Sequence, residues 1–277
     1  LDLTNGGARF GSLTVRNRNA VSDNVITIGA GHTLQINGAV TVGFNSGAVT
    51  DTRLRLTGGG SFLIGSVGNS SLINVQMGAN TSDAVTNRAV VDMTGLSSFY
   101  AGLAGGTFRI GDPTNNQGGN GGGAGSVVTL APTSTIVAAT LNMSSPTGVA
   151  AHVLRLGTGV NTLNVNTIEL GGDRGGATLQ FHDSLQGSLI VRNRAGTGRA
   201  VMNVGWMNNN TTANPTILAD FAGRPTDLLL SSLNVGGRIN TEGTNVVATV
   251  NFGAGVLDAT AVNVADRRNT GASAHTG

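Results

Sequence analysis

The stretch GSLTVRNR at Gly11–Arg18 returns as GSLIVRNR at Gly187–Arg194, identical at seven of eight positions. The match continues without a gap, with NVITIG ending at Gly29 aligned to AVMNVG ending at Gly205. A chain that repeats itself is built from stacked copies of a supersecondary unit, and a single copy cannot bury its own apolar face. The repeat speaks to architecture. It names no substrate.

The residues between the two copies carry one local pattern. Ile26-Thr27-Ile28, Leu34-Gln35-Ile36 and Val40-Thr41-Val42 follow each other closely, and Leu154-Arg155-Leu156, Leu163-Asn164-Val165 and Ile168-Glu169-Leu170 do the same. Period two sends the apolar members to one face of a strand and the polar members to the other. The links are a few residues of Gly, Asn, Asp and Thr, which read as turns. At a coarser spacing, Leu56, Met93, Leu130, Leu156, Phe181, Phe221 and Phe252 each close a similar strand, 37, 37, 26, 25, 40 and 31 residues apart. That range fits one coil of a solenoid plus a loop of variable length.

Composition agrees. The 277 residues include 44 Gly, 33 Thr and 29 Asn, while charged residues make up 11% and aromatics 4%. Thr favours strands, and Gly and Asn favour tight turns. Helix signals are nearly absent, since apolar spacings of three and four are broken by Gly or β-branched residues. The expectation is an all-β chain forming one domain over residues 1–277. Its fold is a parallel β-solenoid, a right-handed β-helix of about nine stacked coils. The loops Gly111–Gly125 and Gly205–Pro215 project from its side, and Gly118–Gly125 reads as loop throughout. An antiparallel sandwich is the competing fold, because regular short strands also suggest it. The opening LDL and the closing NTGASAHTG read as a segment of a longer repeat protein or a fibre subunit.

Other classes are narrowed by what the sequence lacks. There is no Cys, hence no disulfide, thiolate metal site or Cys nucleophile. Lys is absent, so all 16 basic residues are Arg, and the net charge is only +2. That balance does not describe a nucleic-acid surface. No apolar run approaches a membrane span.

Val91–Leu103 (VDMTGLSSFYAGL), Leu154–Gly172 (LRLGTGVNTLNVNTIELGG) and Gly187–Gly205 (GSLIVRNRAGTGRAVMNVG) resemble the long-period β-strand repeats of very large bacterial surface proteins, of the autotransporter-associated type. The resemblance covers most of Val91–Gly236 and, through the internal repeat, part of the N-terminal coils. It implies a secreted or surface-displayed β-solenoid serving as stalk, adhesin or filament, and it carries no catalytic residues. This chain contains no β-barrel translocator.

Chemistry is sparse. Asp173-Arg174 with His182-Asp183 form the best polar cluster, and they read as turn capping beside a strand end. His32, His152, His182 and His275 are scattered without metal spacing and read as surface residues. Glycoside hydrolysis needs two carboxylates across a sugar bond, but there is no doubled Asp, no second cluster one coil away, and only Glu169 and Glu242 supply Glu. Arg16/Arg18 and Arg192/Arg194 alternate with inward residues and face outward. They form either an anionic-ligand stripe or, in the structural reading, ion pairs with Asp on a neighbouring coil. Trp206 and Tyr100 are the lone Trp and Tyr, and Trp206 is expected against the coil edge. We therefore expect no catalytic, cofactor or metal residues, no cofactor and no enzymatic activity. The expected partners are further copies joined end to end, or further repeats, with a polysaccharide or cell-surface ligand beyond them. A polysaccharide-binding or -degrading β-helix is the alternative reading. It needs Asp, Glu and Arg clustered on adjacent coils.

Overall fold

A computed structural model describes residues 1–16, 22–43, 51–65, 75–77, 88–103, 105–111, 124–144, 150–172, 175–182, 186–206, 215–237 and 246–265. Among them there is no helix; the chain is all-β, with parallel strands. In chain order the strands fall into nine layers. The first is β1 (Asp2–Leu3), β2 (Ala8–Phe10) and β3 (Leu13–Val15). Next come β4 (Ser22–Ile28), β5 (Thr33–Ile36) and β6 (Val40–Val42), then β7 (Thr52–Thr57), β8 (Ser61–Ile64) and β9 (Val75–Met77). The fourth layer is β10 (Ala89–Asp92), β11 (Ser98–Gly102) and β12 (Thr107–Ile110). Strands then begin to fuse around the corners: β13 (Ala124–Thr129) with β14 (Thr133–Met143), and β15 (Ala151–Leu156) with β16 (Val160–Leu170). The seventh layer is β17 (Ala177–Phe181), β18 (Ser188–Arg192) and β19 (Ala200–Val204). The last two are single long strands, β20 (Thr216–Val235) and β21 (Val247–Val264).

Pairing runs between layers and makes three stacks. The first follows β1, β4, β7, β10, β13, β15 and β17 into the starts of β20 and β21. The second follows β2, β5, β8 and β11, the first halves of β14 and β16, β18, and the middles of β20 and β21. The third follows β3, β6, β9 and β12, the second halves of β14 and β16, β19, and the ends of β20 and β21. Every strand pairing is parallel; one isolated antiparallel bridge joins Gly29 and Gly59. Hairpins of a sandwich would require antiparallel ladders. At the usual strand spacing nine layers extend about 40 Å.

The strand-closing series lies in the first stack. Ile26 pairs with Leu56, Leu156 with Phe181, and Phe221 with Phe252. Met93 and Leu130 each follow the paired Asp92 and Thr129 by one residue. The eight-residue repeat behaves differently. Its first copy enters β3 of the third stack and its second forms β18 of the second stack. The two copies therefore share a strand-and-turn sequence but not a position in the layer. The reason is that a strand's local pattern does not encode which face it occupies. Face is set by how many strands precede it, and the 176-residue offset holds no whole number of three-strand layers.

Burial alternates along the strands. In Thr33–Ile36, Ser61–Ile64 and Thr107–Ile110 every second residue is buried, and its neighbours are half-buried. Parallel sheets covered on both faces read instead as continuous apolar runs. Here one face packs inward and the other meets water. The inward residues form one continuous cluster from Val15 to Leu233. Corners turn where side chains cannot fit: at Gly58 (φ +98°) an added Cβ would lie 2.4 Å from the Ile28 carbonyl oxygen. The expected loop Gly118–Gly125 is shorter than the sequence suggests, because Ala124 and Gly125 already belong to β13. The rest of that loop lies outside the described residues.

Candidate functional site

The outward register of the third stack is a column of polar residues. It runs Thr14, Thr41, Arg109, Asn142, Glu169, Asn203, Asn234 and Asn263, with backbone position 76 in register between Thr41 and Arg109. Its last four members are joined in one direction. Asn263 Nδ2 donates to Asn234 Oδ1 at 2.6 Å, Asn234 Nδ2 to Asn203 Oδ1 at 2.6 Å, and Asn203 Nδ2 to Glu169 Oε1 at 2.7 Å. The ladder thus ends on a carboxylate, which strengthens the bond next to it. Arg109 Nη1 donates to Asn142 Oδ1 lower in the same column. The column escaped the sequence reading because its spacing is irregular. The 31- and 29-residue steps between Asn203, Asn234 and Asn263 become meaningful only once the layer register is known.

Arg192 sits on the outer face of the second stack, half-buried. Its Nη2 pairs with Asp227 Oδ2 at 2.5 Å, and its Nη1 donates to the Asp227 carbonyl. This is the structural reading of the Arg pair, ion pairing with the next layer. It removes Arg192 from any free anionic-ligand stripe. Arg194 donates its backbone N–H to Asn166 Oδ1. Arg16 also has a partner, and Arg18 lies outside the described residues. Arg199 clasps the last layer through both terminal nitrogens on Asp258, at 2.9 and 2.8 Å, and also reaches the Leu230 carbonyl. The hydrogen bond from Arg199, assisted by its charge, holds the Asp258 carboxyl below its ordinary value. Arg88 and Arg53 converge on Asp51 at 3.0 and 3.4 Å.

His152 is a correction to the sequence reading. It is fully buried, not a surface residue. A register shift between Ala124 and Val127 takes the Ser126 N–H out of the ladder, and His152 Nδ1 accepts it at 3.1 Å. The neutral ring therefore carries its proton on Nε2. Among the described residues that atom has no partner, and a Cβ at Gly111 would lie 2.9 Å from it. Burial pushes the imidazole down to about 4. Of the other histidines, His32 is half-buried, His182 is exposed and His275 lies outside the described residues.

The expected cluster around His182 cannot be assembled, because Asp173, Arg174 and Asp183 are outside the described residues, as is Glu242. Trp206 lies against the backbone of Gly237, where an added Cβ would fall 1.9 Å from the indole Cε3. It packs on the edge of the next layer, as expected. Tyr100 is half-buried, and burial raises its hydroxyl pKa. Among the described residues no three His, Asp or Glu side chains gather where they could hold a metal ion. Nor is there a helix long and apolar enough to cross a membrane.

What these residues define is a class by architecture: an all-β chain of parallel, layered strands whose polar side chains tie one layer to the next. No family model, curated protein or solved structure matches it.

Proposed function

We propose that the chain is a parallel β-solenoid, right-handed by the usual crossover preference, and that it works as a structural element. It would serve as a rod, fibre or adhesin stalk outside the cell or on its surface. The observation that carries this reading is the register. Nine parallel layers superpose in three stacks while each strand keeps one inward and one outward face. Parallel strands half-exposed to water need a chain that winds around its own core, since no helix among the described residues covers them. Backbone ladders and stacked side chains then give a stiff body. The polar side chains support the same role, because Arg192–Asp227 and the asparagine ladder join neighbouring layers and Arg199–Asp258 reaches from the seventh layer across the eighth to the ninth. The extracellular setting is supported by the resemblance of Val91–Leu103, Leu154–Gly172 and Gly187–Gly205 to surface-protein repeats.

Electron microscopy of the purified chain tests the proposal. Slender rods or filaments of constant width are the expected result. A compact two-layer particle without a long axis would defeat the solenoid. Release of unsaturated or shortened sugars from uronic-acid polymers would defeat the purely structural role.

A further inference from the structure

The corner between β5 and β6 carries a reactive pair. The chain has three Asn-Gly pairs, beginning at Asn5, Asn37 and Asn120. Glycine lacks a side chain, so its nitrogen can swing toward the carbonyl carbon of the preceding Asn side chain with little hindrance. Asn37 and Gly38 lie in the bend between Ile36 and Val40, and Asn37 is exposed. The first layer pins both flanks of the bend. Asn37 donates its N–H to the Phe10 carbonyl at 2.9 Å, and the Ala39 carbonyl accepts from the Leu13 N–H at 3.0 Å. Only glycine fits between them, because a Cβ at position 38 would collide with the Gly11 carbonyl oxygen. The packing of this corner therefore requires the residue that makes Asn37 reactive.

A relay of side chains ends on the Asn37 amide. Arg9 Nε donates to Gln35 Oε1 at 3.1 Å, and Gln35 Nε2 donates to Asn37 Oδ1 at 2.9 Å. Gln35 Nε2 also reaches the Gly65 carbonyl at 3.1 Å, which fixes the orientation of the Gln35 amide. The guanidinium is charged, and hydrogen bonds in series polarise one another. Electron density is drawn from Asn37 Cγ toward Oδ1. The Gln35 N–H stands where it would meet an oxyanion forming on that atom. Among the described residues neither the Gly38 N–H nor Asn37 Nδ2 has a hydrogen-bond partner. Nucleophile and leaving group are both uncommitted, while the carbonyl between them is activated.

We propose that Asn37–Gly38 is a self-modifying site. The Gly38 nitrogen bonds to Asn37 Cγ, the Cγ–Nδ2 bond breaks, and ammonia leaves with the Gly38 proton. The product is a five-membered succinimide. Water, the co-reactant, then opens the ring. Breaking the new N–Cγ bond gives aspartate at position 37. Breaking the bond from the Gly38 nitrogen to the Asn37 backbone carbonyl carbon gives isoaspartate, in which the main chain runs through the side chain and gains an atom. The aspartate keeps the backbone, and its carboxylate still accepts from Gln35. The isoaspartate puts an extra backbone atom between two pinned flanks, which pushes Gly38 off Gly11 and loosens the corner from the layer below. The site depends on these contacts and not on the solenoid reading.

The test incubates the full folded chain in mildly alkaline buffer made with heavy-oxygen water, beside the same chain unfolded in urea. Cleavage after Arg18 and Arg53 releases a peptide that holds Asn37 and no other Asn-Gly pair. Mass spectrometry with fragmentation that separates isoaspartate from aspartate reads it over time. Residue 37 should convert to both products, each carrying one heavy oxygen, at least as fast in the folded chain as in the unfolded one. Gln35→Leu should slow the folded chain about fivefold, the worth of one ordinary hydrogen bond to the oxyanion. It should leave the unfolded rate unchanged. Arg9→Leu, at an exposed position, should slow the folded chain by a smaller factor. It carries the test if circular dichroism shows that Gln35→Leu disturbs the fold. Retention of the Asn37 amide in the folded chain after the unfolded chain has converted overturns the proposal. So does a folded rate that neither variant changes.

Discussion

At the first inward position of the second stack, the early and late layers solve one problem in two ways. Layers two to four place Leu34, Phe62 and Phe99 there, in register and fully buried. The rings of Phe62 and Phe99 stack at 5.7 Å, and Phe108 meets Phe99 edge-on at 6.3 Å. Layers five, six and eight place Ser134, Asn161 and Thr226 at the same position, also buried. These polar side chains turn back to the corner just passed. Ser134 Oγ donates to the Ala131 carbonyl and Thr226 Oγ1 to the Arg224 carbonyl, while Asn161 engages Gly157 at both backbone groups. Layers two to four fill volume there, as Leu189 does in layer seven, and layers five, six and eight satisfy the backbone. A stacked fold tolerates the exchange because each layer needs only to match its neighbours.

The largest expected effect comes from emptying the early site. Phe99→Ala leaves a cavity between two layers, with Phe62 and Phe108 losing their partner, and should cost about 4 kcal/mol. Asn161→Leu tests the late site and should cost about 3 kcal/mol even though it is apolar and similar in size. It strands the Gly157 N–H and takes a donor from the carbonyls of Gly157, Gly159 and Ser188, which Asn161 reaches at 2.8 to 3.2 Å. Denaturant titration read by hydrogen exchange, layer by layer, measures both. If Asn161→Leu were neutral, the late corner would be held by packing alone and the contrast would vanish.

His152 sharpens the comparison through pH. An ordinary histidine titrates near 6.5, and burial lowers this one to about 4. Between those values the unfolded chain binds a proton that the folded chain excludes. Stability therefore falls as pH falls through that window, by about 3 kcal/mol in all, and is unaffected above it. His152→Gln keeps an acceptor for the Ser126 N–H but cannot take the charge, so thermal melts between pH 7 and pH 4 should lose most of this slope. A full slope in the variant would place the acid sensitivity elsewhere.

Much of this was legible from the sequence. Alternation located the strands, and the strand-closing residues from Leu56 to Phe252 do lie along one stack, because apolar residues at strand ends repeat with every layer. The same rule, counted back two residues from Leu154, would have placed His152 inside. Treating a lone histidine as a surface residue overrode it. Asn161 has the same inward parity as Leu163, but nothing distinguishes it from the other 28 of 29 Asn until the corner it braces is known. The repeat of Gly11–Arg18 carries no phase for a related reason. Sequence records strand and turn, whereas face and layer emerge only from the accumulated count of strands.

The smallest effect is expected on the outer surface, where the late layers are clasped by charge. Arg192 and Asp227 face each other across the seventh and eighth layers, with side-chain exposures of 20% and 48%. Such a pair gains little in high dielectric and gives up side-chain entropy, so Arg192→Gln should cost about 1 kcal/mol or less. Part of even that comes from the lost bond to the Asp227 carbonyl rather than from the charge. The two contributions separate in a double-mutant cycle with Asp227→Asn at low and high salt. Salt should shrink the coupling and leave the backbone bond's share behind. A coupling that exceeds the cost of Asn161→Leu would reverse the ordering argued here. It would make surface charge, and not the buried corner amides, the main tie between the late layers.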